Sequence, residues 1–405
     1  MRSIPLLPIV PRSIVPRSIV PLSLVPLSIV VLAGCCPSTS PTVQQPGLND
    51  SCLLREGYQQ LPRPKLVQRR SIYRPEFRRI LSGWLMGVGD RFTHQFPEVD
   101  GQEDKPSVVT HEWARDNGAP VNAQAIWLTR DWNDSWGVDR GDLVRMSRDG
   151  VVPVLMLYYF GDRISPQVVL EERDAWYLYL MKVAALAAID HPVLVVLEPE
   201  YNDETNDRRT TVVNWPGFNE VVIDGIYLLR SLAPNLLVGI GPGDFGTQDL
   251  ELSMGEIAQY SDFIAYQEMR ASTRPNVISH EFEDVSENAL AYSYYLQQLF
   301  DKPILLAYVA VSTYPPDSDW EQFQADVITN LFDTNFAELA EHGVFGALYF
   351  MAFDDPQHTG YYGAAEAHFG LARTDGSLKP GFEAFAEAVS KRQNILYAPD
   401  GNRNR

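Results

Sequence analysis

Val151-Val152-Pro153-Val154-Leu155-Met156-Leu157-Tyr158-Tyr159, a helical stretch over Glu171–Ile189, and then Val193-Leu194-Val195-Val196-Leu197 decide the fold of this chain. Both apolar runs are short and continuous, the pattern of a parallel strand buried on both faces. Between them Trp176, Leu180, Val183 and Leu186-Ala187 recur at three- and four-residue intervals, so one stripe of the helix is apolar. The unit repeats outward in both directions. Further strands read at Trp84–Gly89, Ala123–Thr129, Leu236–Ile240, Phe263–Gln267, Ile304–Tyr308 and Phe345–Phe350, with helices at Phe218–Leu232, Glu287–Phe300 and Trp320–His342. Eight strands at a spacing of roughly 30 to 45 residues predict a single (β/α)8 TIM barrel over residues 79–392. The alternative is an open doubly wound sheet. No Gly-x-Gly-x-x-Gly follows an early strand, and in Gly239-Ile240-Gly241-Pro242-Gly243 a proline stands where a phosphate cradle needs an N–H.

Composition narrows the function. The 405 residues are 45% hydrophobic and 11% aromatic, which is a globular balance. The 52 acidic residues against 33 basic ones give a net charge of -19, so no nucleic-acid partner is expected. Three cysteines are too few for a disulfide scaffold. The seven histidines show no zinc spacing, and Asp203, Glu204 and Asp207 sit in no Asp-x-Asp-x-Asp-Gly loop. No Gly-x-Ser-x-Gly elbow is present. Neither a metal nor a cofactor is expected.

The chain opens Met1-Arg2 and runs apolar to Leu32-Ala33-Gly34-Cys35. A basic start, an apolar stretch and small residues before a cysteine mark a secretory signal over 1–34. The four residues Leu32–Cys35 resemble the bacterial lipobox, which implies cleavage before Cys35 and lipid on its sulfur. Prolines 11, 16, 21 and 26 recur every five residues and oppose a membrane-spanning helix. Residues 35–78, rich in Pro, Ser, Gln and Arg, read as a tether, and 393–405 as a tail. Cys36 and Cys52 pair, or Cys36 stays reduced or acylated. The expectation is a monomer held by lipid in the cell envelope, on the bacterial outer membrane and outside the cytoplasm.

Catalytic groups of a barrel sit where strands end. The strand ends here carry Asp90, Asp131-Trp132, Tyr158-Tyr159, Glu198-Pro199-Glu200-Tyr201-Asn202, Asp244, Gln267-Glu268, Tyr308 and Asp354-Asp355. Carboxylates, amides and aromatic faces suit sugars, which present both hydroxyls and an apolar C–H face. Glu198 and Glu200, two apart on a strand, are expected to share one face, where like charge raises one pKa and readies a general acid. The other reading of Glu198 is a partner for an arginine. Trp136, Tyr314 and Phe353 join Trp132, Tyr158 and Tyr159 as candidate sugar platforms or barrel packing.

Tyr349-Phe350-Met351-Ala352-Phe353-Asp354-Asp355-Pro356-Gln357-His358-Thr359-Gly360, with Glu366-Ala367-His368-Phe369-Gly370-Leu371 beyond it, resembles the end of a clan A glycoside hydrolase, closest to family 17 β-1,3-glucanases and glucanosyltransferases. The resemblance implies a carbohydrate substrate and places Asp355 where that family has Glu, with Glu366 at its later Glu. It makes Glu200 the acid/base, although Pro199 replaces the usual Asn. From Lys302-Pro303-Ile304 it places Tyr308 where the family has its nucleophilic Glu, with the hydroxyl facing the cleft. Three schemes fit that departure. Glu268 supplies the second carboxyl, its alternative being an ion pair with Arg270 or Arg130. Glu198 and Glu200 act together on a 2-acetamido sugar. Or the site binds glycans without turning them over.

The reading is therefore a glycoside hydrolase or transglycosylase with Glu200, Glu268 and Glu198 as catalytic candidates. Asp90, Asp131, Trp132, Tyr159, Asn202, Gln267, Tyr308, Asp354, Asp355 and Glu366 are the substrate-binding candidates. A non-catalytic glycan-binding surface lipoprotein is the alternative.

Overall fold

The computed structural model describes residues 75–89, 110–132, 138–202, 212–213, 215–243, 250–271, 285–315, 318–358 and 360–392. Helix α1 (Pro75–Ser82) leads into β1 (Leu85–Gly89), and strand and helix then alternate. The series continues through α2 (Thr110–Asp116), β2 (Ala123–Thr129), α3 (Arg140–Arg148), β3 (Val152–Tyr158), α4 (Pro166–Ala187), β4 (Val193–Leu197) and α5 (Pro216–Leu232). It ends with β5 (Leu236–Ile240), α6 (Leu250–Tyr260), β6 (Phe263–Arg270), α7 (Val285–Phe300), β7 (Ile304–Val311), α8 (Ser318–Thr329), α9 (Phe336–Glu341), β8 (Val344–Tyr349) and α10 (Pro380–Arg392). The eight strands pair in chain order, all parallel, and β8 closes onto β1. The fold is a (β/α)8 TIM barrel.

Its two apolar layers explain the continuous apolar runs. Ala123, Ala125, Val154, Met156, Leu194, Val196, Leu305 and Leu348 fill the barrel interior. The alternate residues Ile126, Leu155, Leu157, Val193, Val195 and Leu197 face outward against Trp176, Leu180 and Val183 of α4. Gly239 belongs to this packing. A Cβ there would lie 2.5 Å from the Phe263 ring, which fills the interior edge-on to Phe345.

Several boundaries differ from the sequence reading; α4, for one, begins at Pro166 and not at Glu171. Helix α1 begins inside the stretch read as tether, because Phe77 and Ile80, three apart, are both buried in the interior cluster. Strands β6 and β7 run on past Gln267 and Tyr308, since Glu268, Met269 and Arg270 still pair with Val309, Ala310 and Val311. In β6 an apolar-run criterion stops at the polar Glu268, whereas the backbone ladder does not; in β7 the apolar run itself continues through Val309-Ala310-Val311, and the ladder follows it. The stretch Trp320–His342 is two helices, α8 and α9, separated by a π-turn over Asn330–Thr334 in which Asn335 N–H bonds to Asn330 O at 2.8 Å.

No described helix is long and apolar enough to cross a membrane. Cys35, Cys36, Cys52, Asp90, Trp136, Asp203, Glu204, Asp207, Asp244 and the tail 393–405 lie outside the described residues.

Candidate active site

The chain leaves β4 through a tight turn. Glu198 has φ 42° and Glu200 φ 62°, both left-handed, and Tyr201 N–H closes onto Glu198 O at 3.2 Å. A non-glycine residue there costs on the order of 1–3 kcal/mol and persists only where its surroundings fix it. Side-chain contacts fix both. The Glu198 carboxyl accepts from Phe160 N–H at 3.1 Å and from the Trp176 indole N–H at 2.8 Å, within the layer between strands and helices. Glu200 turns the other way, and its Oε1 meets the Tyr308 hydroxyl. The expectation that these two glutamates share a face is therefore corrected. They lie beyond the end of the strand, and the turn separates them. Among the described residues Glu198 pairs with no arginine; its partners are N–H groups.

Burial pushes the Glu198 carboxyl up to about 8, against the opposing pull of the Phe160 and Trp176 N–H groups. It is 2% exposed. A neutral carboxyl at this place braces the turn from behind.

Tyr308 reaches the interior through a bulge. Tyr266 pairs with Leu306 but Gln267 pairs with Tyr308, so Ala307 is an extra residue in β7. Regular alternation from the inward Leu305 would send Tyr308 outward. The extra residue reverses this, leaving Tyr308 in the interior cluster and Val309 in the outer one. The Tyr308 hydroxyl also meets Gln267 Oε1 on β6. The Tyr308 ring lies 5.3 Å from Trp127, edge-on, and 5.3 Å from Phe350. Tyr158 stands edge-on to Trp127 at 5.9 Å. Glu200, Tyr308 and Gln267 thus gather on one aromatic wall built by β2, β3 and β8. The sequence reading missed Trp127 and Phe350 as parts of that wall. The signal for Trp127 was present, since Ala123, Ala125 and Trp127 share one strand face.

The remaining candidates stand elsewhere. Glu268, fully buried, falls between the inward Gln267 and Met269 and faces the helix layer, with Arg270 Nη2 at 2.9 Å. Asn202 Oδ1 accepts from Gly243 N–H at 2.6 Å and ties the ends of β4 and β5 together. Trp132 packs in the outer layer under Lys182, whose Nζ is 4.0 Å from its ring centre. Tyr159 is in that layer too, 5.1 Å from Tyr179. Phe353 packs on Trp113 at 4.7 Å. Asp131 is exposed.

Three carboxylates after β8 hold the final loop. Asp354 bonds to Lys379 Nζ at 2.6 Å and to Gly370 N–H at 2.9 Å, both residues being nearly inaccessible. Asp355 Oδ1 accepts from Gln357 N–H at 2.9 Å. Glu366 accepts from Tyr362 N–H at 3.0 Å and faces His358 Nε2 at 3.1 Å. His358 in turn lies 6.0 Å from Phe350 and so stands between Glu366 and the wall.

Among the described residues one group offers metal-type ligand atoms within 4.8 Å of one another, His111, Glu112 and Asp149. It lies by the strand-start end, where His111 Nδ1 is 2.8 Å from Gln124 Oε1 and Glu112 is 3.8 Å from Arg145.

No family model matches the chain, and no curated protein matches it in sequence. Solved structures match it in fold. A GH5_18 protein from Bifidobacterium longum subsp. infantis superposes with a TM-score of 0.53 at 15% identity, over 78% of this chain and 80% of that one. A GH5_18 protein from Streptomyces cattleya, solved with GlcNAc, gives 0.53 at 15% identity over 78% and 82%. An exo-β-1,4-mannosidase from Opitutaceae bacterium strain TAV5 gives 0.54 at 13% identity, over 77% of this chain and 60% of that longer one. At these identities the likeness is one of fold, and that fold is the (β/α)8 barrel on which those glycoside hydrolases are built.

Proposed function

We propose that the barrel acts on carbohydrate as a glycoside hydrolase or transglycosylase, with Glu200 as the proton donor to the glycosidic oxygen. The observation that carries this reading is the half-buried Glu200 carboxyl at the mouth end of β4, bonded to Tyr308 beside the aromatic wall. Trp127, Tyr158 and Phe350 offer faces for sugar C–H groups, and Gln267 and Glu200 offer polar partners for hydroxyls. As the glycosidic bond breaks, the Glu200 proton passes to the leaving oxygen. The carboxylate then takes the proton of a water or, in transglycosylation, of an acceptor hydroxyl, as that oxygen bonds to the anomeric carbon left by the departing group. The Streptomyces structure was solved with GlcNAc, and the strand-eight region resembles family 17. Substrate tests therefore span 2-acetamido sugars, mannosides and β-1,3-glucans.

A second reading is a glycan-binding surface protein without turnover. The outward placement of Glu198 and Glu268 favours it. Hydrolysis by two carboxyls needs them roughly 5 to 9.5 Å apart across the bond, and neither of these faces the interior beside Glu200. The same placement removes support from the scheme in which Glu198 and Glu200 act as a pair on a 2-acetamido sugar. In either reading the protein is proposed as a monomer, lipid-anchored through Cys35 in the bacterial cell envelope.

The test is a panel of β-glucans, mannans, galactans and 2-acetamido glycans given to wild type and Glu200→Gln. Turnover lost in the variant supports the first reading. Binding without turnover by wild type supports the second. Neither binding nor turnover overturns both.

A further inference from the structure

His111 stands in the first turn of α2, at the strand-start end of the barrel, and its side chain is 2% exposed. Gln124 fixes which way its ring faces. That residue alternates with the inward Ala123 and Ala125 on β2, so it looks into the helix layer. Its Oε1 accepts the His111 backbone N–H at 3.0 Å, which requires the amide oxygen at that place and not the NH2. The same oxygen lies 2.8 Å from His111 Nδ1. An amide oxygen only accepts, so Nδ1 carries the ring hydrogen. Nε2 is then the nitrogen presented to Asp149. Histidines that bind metal are oriented in this manner, one ring N–H held by an oxygen and the other nitrogen turned to the ion.

Nε2 and Asp149 Oδ2 stand 3.5 Å apart. A hydrogen bond from a ring N–H to a carboxylate is shorter, about 2.7–3.2 Å. Two ligands of one tetrahedral zinc ion, each about 2.0–2.2 Å from the metal, lie about 3.3–3.5 Å from each other. The separation fits an ion between the two atoms better than a shared hydrogen. Glu112 brings a third ligand atom within 4.8 Å of both. Its side chain is part-exposed and only loosely held by Arg145 at 3.8 Å, so rotation carries it onto the ion. Arg145 has a second carboxylate, Asp142, at 4.0 Å. Asp149 caps the C-terminus of α3, an end that favours positive charge. Two carboxylates cancel the charge of a divalent ion, and a nitrogen among the oxygens selects the zinc class over magnesium or calcium.

We propose that His111 Nε2, Asp149 and Glu112 bind one zinc-class divalent ion, which clamps the start of α2 to the end of α3. The site is at the opposite end of the barrel from Glu200, and the proposal does not depend on the hydrolase reading. Its ligands lie at 111, 112 and 149, a spacing that no short histidine motif announces.

The test uses the full chain, treated with EDTA, labelled with 15N at histidine and titrated with zinc chloride. Zinc should shift the His111 Nε2 resonance and leave its Nδ1–H in place, the signals being assigned by their loss in His111→Gln. Calorimetry should show a site that weakens at least tenfold in Asp149→Asn and in Glu112→Gln. Both changes keep side-chain volume at part-exposed positions. Zinc should raise the melting temperature of wild type, and of each variant by less. Magnesium or calcium chloride should do neither. An unmoved His111 Nε2, or equal zinc affinity in wild type and both variants, puts the ion elsewhere and overturns the proposal. Failure to bind zinc at millimolar concentration also overturns it, and leaves the contact as an imidazolium–carboxylate pair. Should His111→Gln fail to fold, the two carboxylate variants still decide.

Discussion

The hydroxyl of Tyr308 meets the carboxyl of Glu200 across 108 residues of sequence. In a ring of eight strands paired in order, β4 and β7 stand three strands apart, so the contact bridges the mouth instead of following one edge. Each partner arrives by a departure from regular backbone. Glu200 uses a left-handed turn and Tyr308 a one-residue bulge. Two irregularities on different strands that converge on one hydrogen bond mark the place where the barrel departs from pure packing.

If that place is catalytic, Glu200→Gln should cost about 10² to 10⁴ in kcat on whichever glycan wild type turns over. The amide keeps the side-chain volume, so the melting temperature and glycan affinity should stay near those of wild type. Steady-state kinetics on the purified pair check this. Undiminished kcat in the variant would remove Glu200 from the mechanism.

Glu198 predicts a pH dependence of stability. Its carboxyl titrates at about 8 in the folded protein, and near an ordinary glutamate value of about 4.3 when unfolded. Between those values the folded state holds a proton that the unfolded chain has lost. Stability from this group is therefore complete below the lower value and drains away as pH rises through the upper one. Its slope is at most about 1.4 kcal/mol per pH unit. Glu198→Gln should flatten the fall of melting temperature across the window, and parallel curves for variant and wild type would refute the assignment.

Lys379 and Asp354 form an ion pair almost sealed from water. Removing one partner strands the other, so Lys379→Met should destabilise the fold by about 3–5 kcal/mol. The double change Lys379→Met with Asp354→Asn should recover much of that. Urea denaturation of the single and double variants measures the difference, and an equally unstable double variant would show that the pair's charge is not the cause.

Cys35 is expected to carry lipid, on the strength of Leu32-Ala33-Gly34-Cys35 after an apolar leader. Metabolic labelling with a fatty-acid analogue should tag wild type and not Cys35→Ala. A soluble, unlabelled wild-type protein that retains residues 1–34 would end the lipoprotein reading.

The barrel was legible because it is a repeated property. Each buried strand must be apolar on both faces, and each covering helix on one stripe, so Val193–Leu197 and Trp176–Val183 announce themselves by composition and spacing. The site was legible in part. Glu200 and Gln267 stand out as polar residues at strand ends. What Glu198 and Glu268 face was not legible, because direction there depends on a single turn or on which side of a ladder a residue falls. Tyr308 faces the cleft as the family resemblance implied, but the strand pattern by itself does not say so. Counting alternate residues along Ile304–Tyr308 sends it outward, and only the extra residue at Ala307 turns it in. Nothing in an apolar run marks a bulge. Trp127 was passed over because a tryptophan inside a strand reads as packing, whereas in this barrel it is both packing and wall.

Helix α1 gives the barrel a mechanical entry point. It is eight residues long, it inserts Phe77 and Ile80 into the interior, and it hands the chain directly to β1. β1 is also half of the seam, since Leu85 and Met86 pair with Gly346 and Ala347 of β8. Tension applied through the chain ahead of Pro75 therefore meets two buried side chains before it reaches the ladder that closes the ring. A modest pull is spent unseating that short helix, and the seam is loaded only after Phe77 and Ile80 have come out.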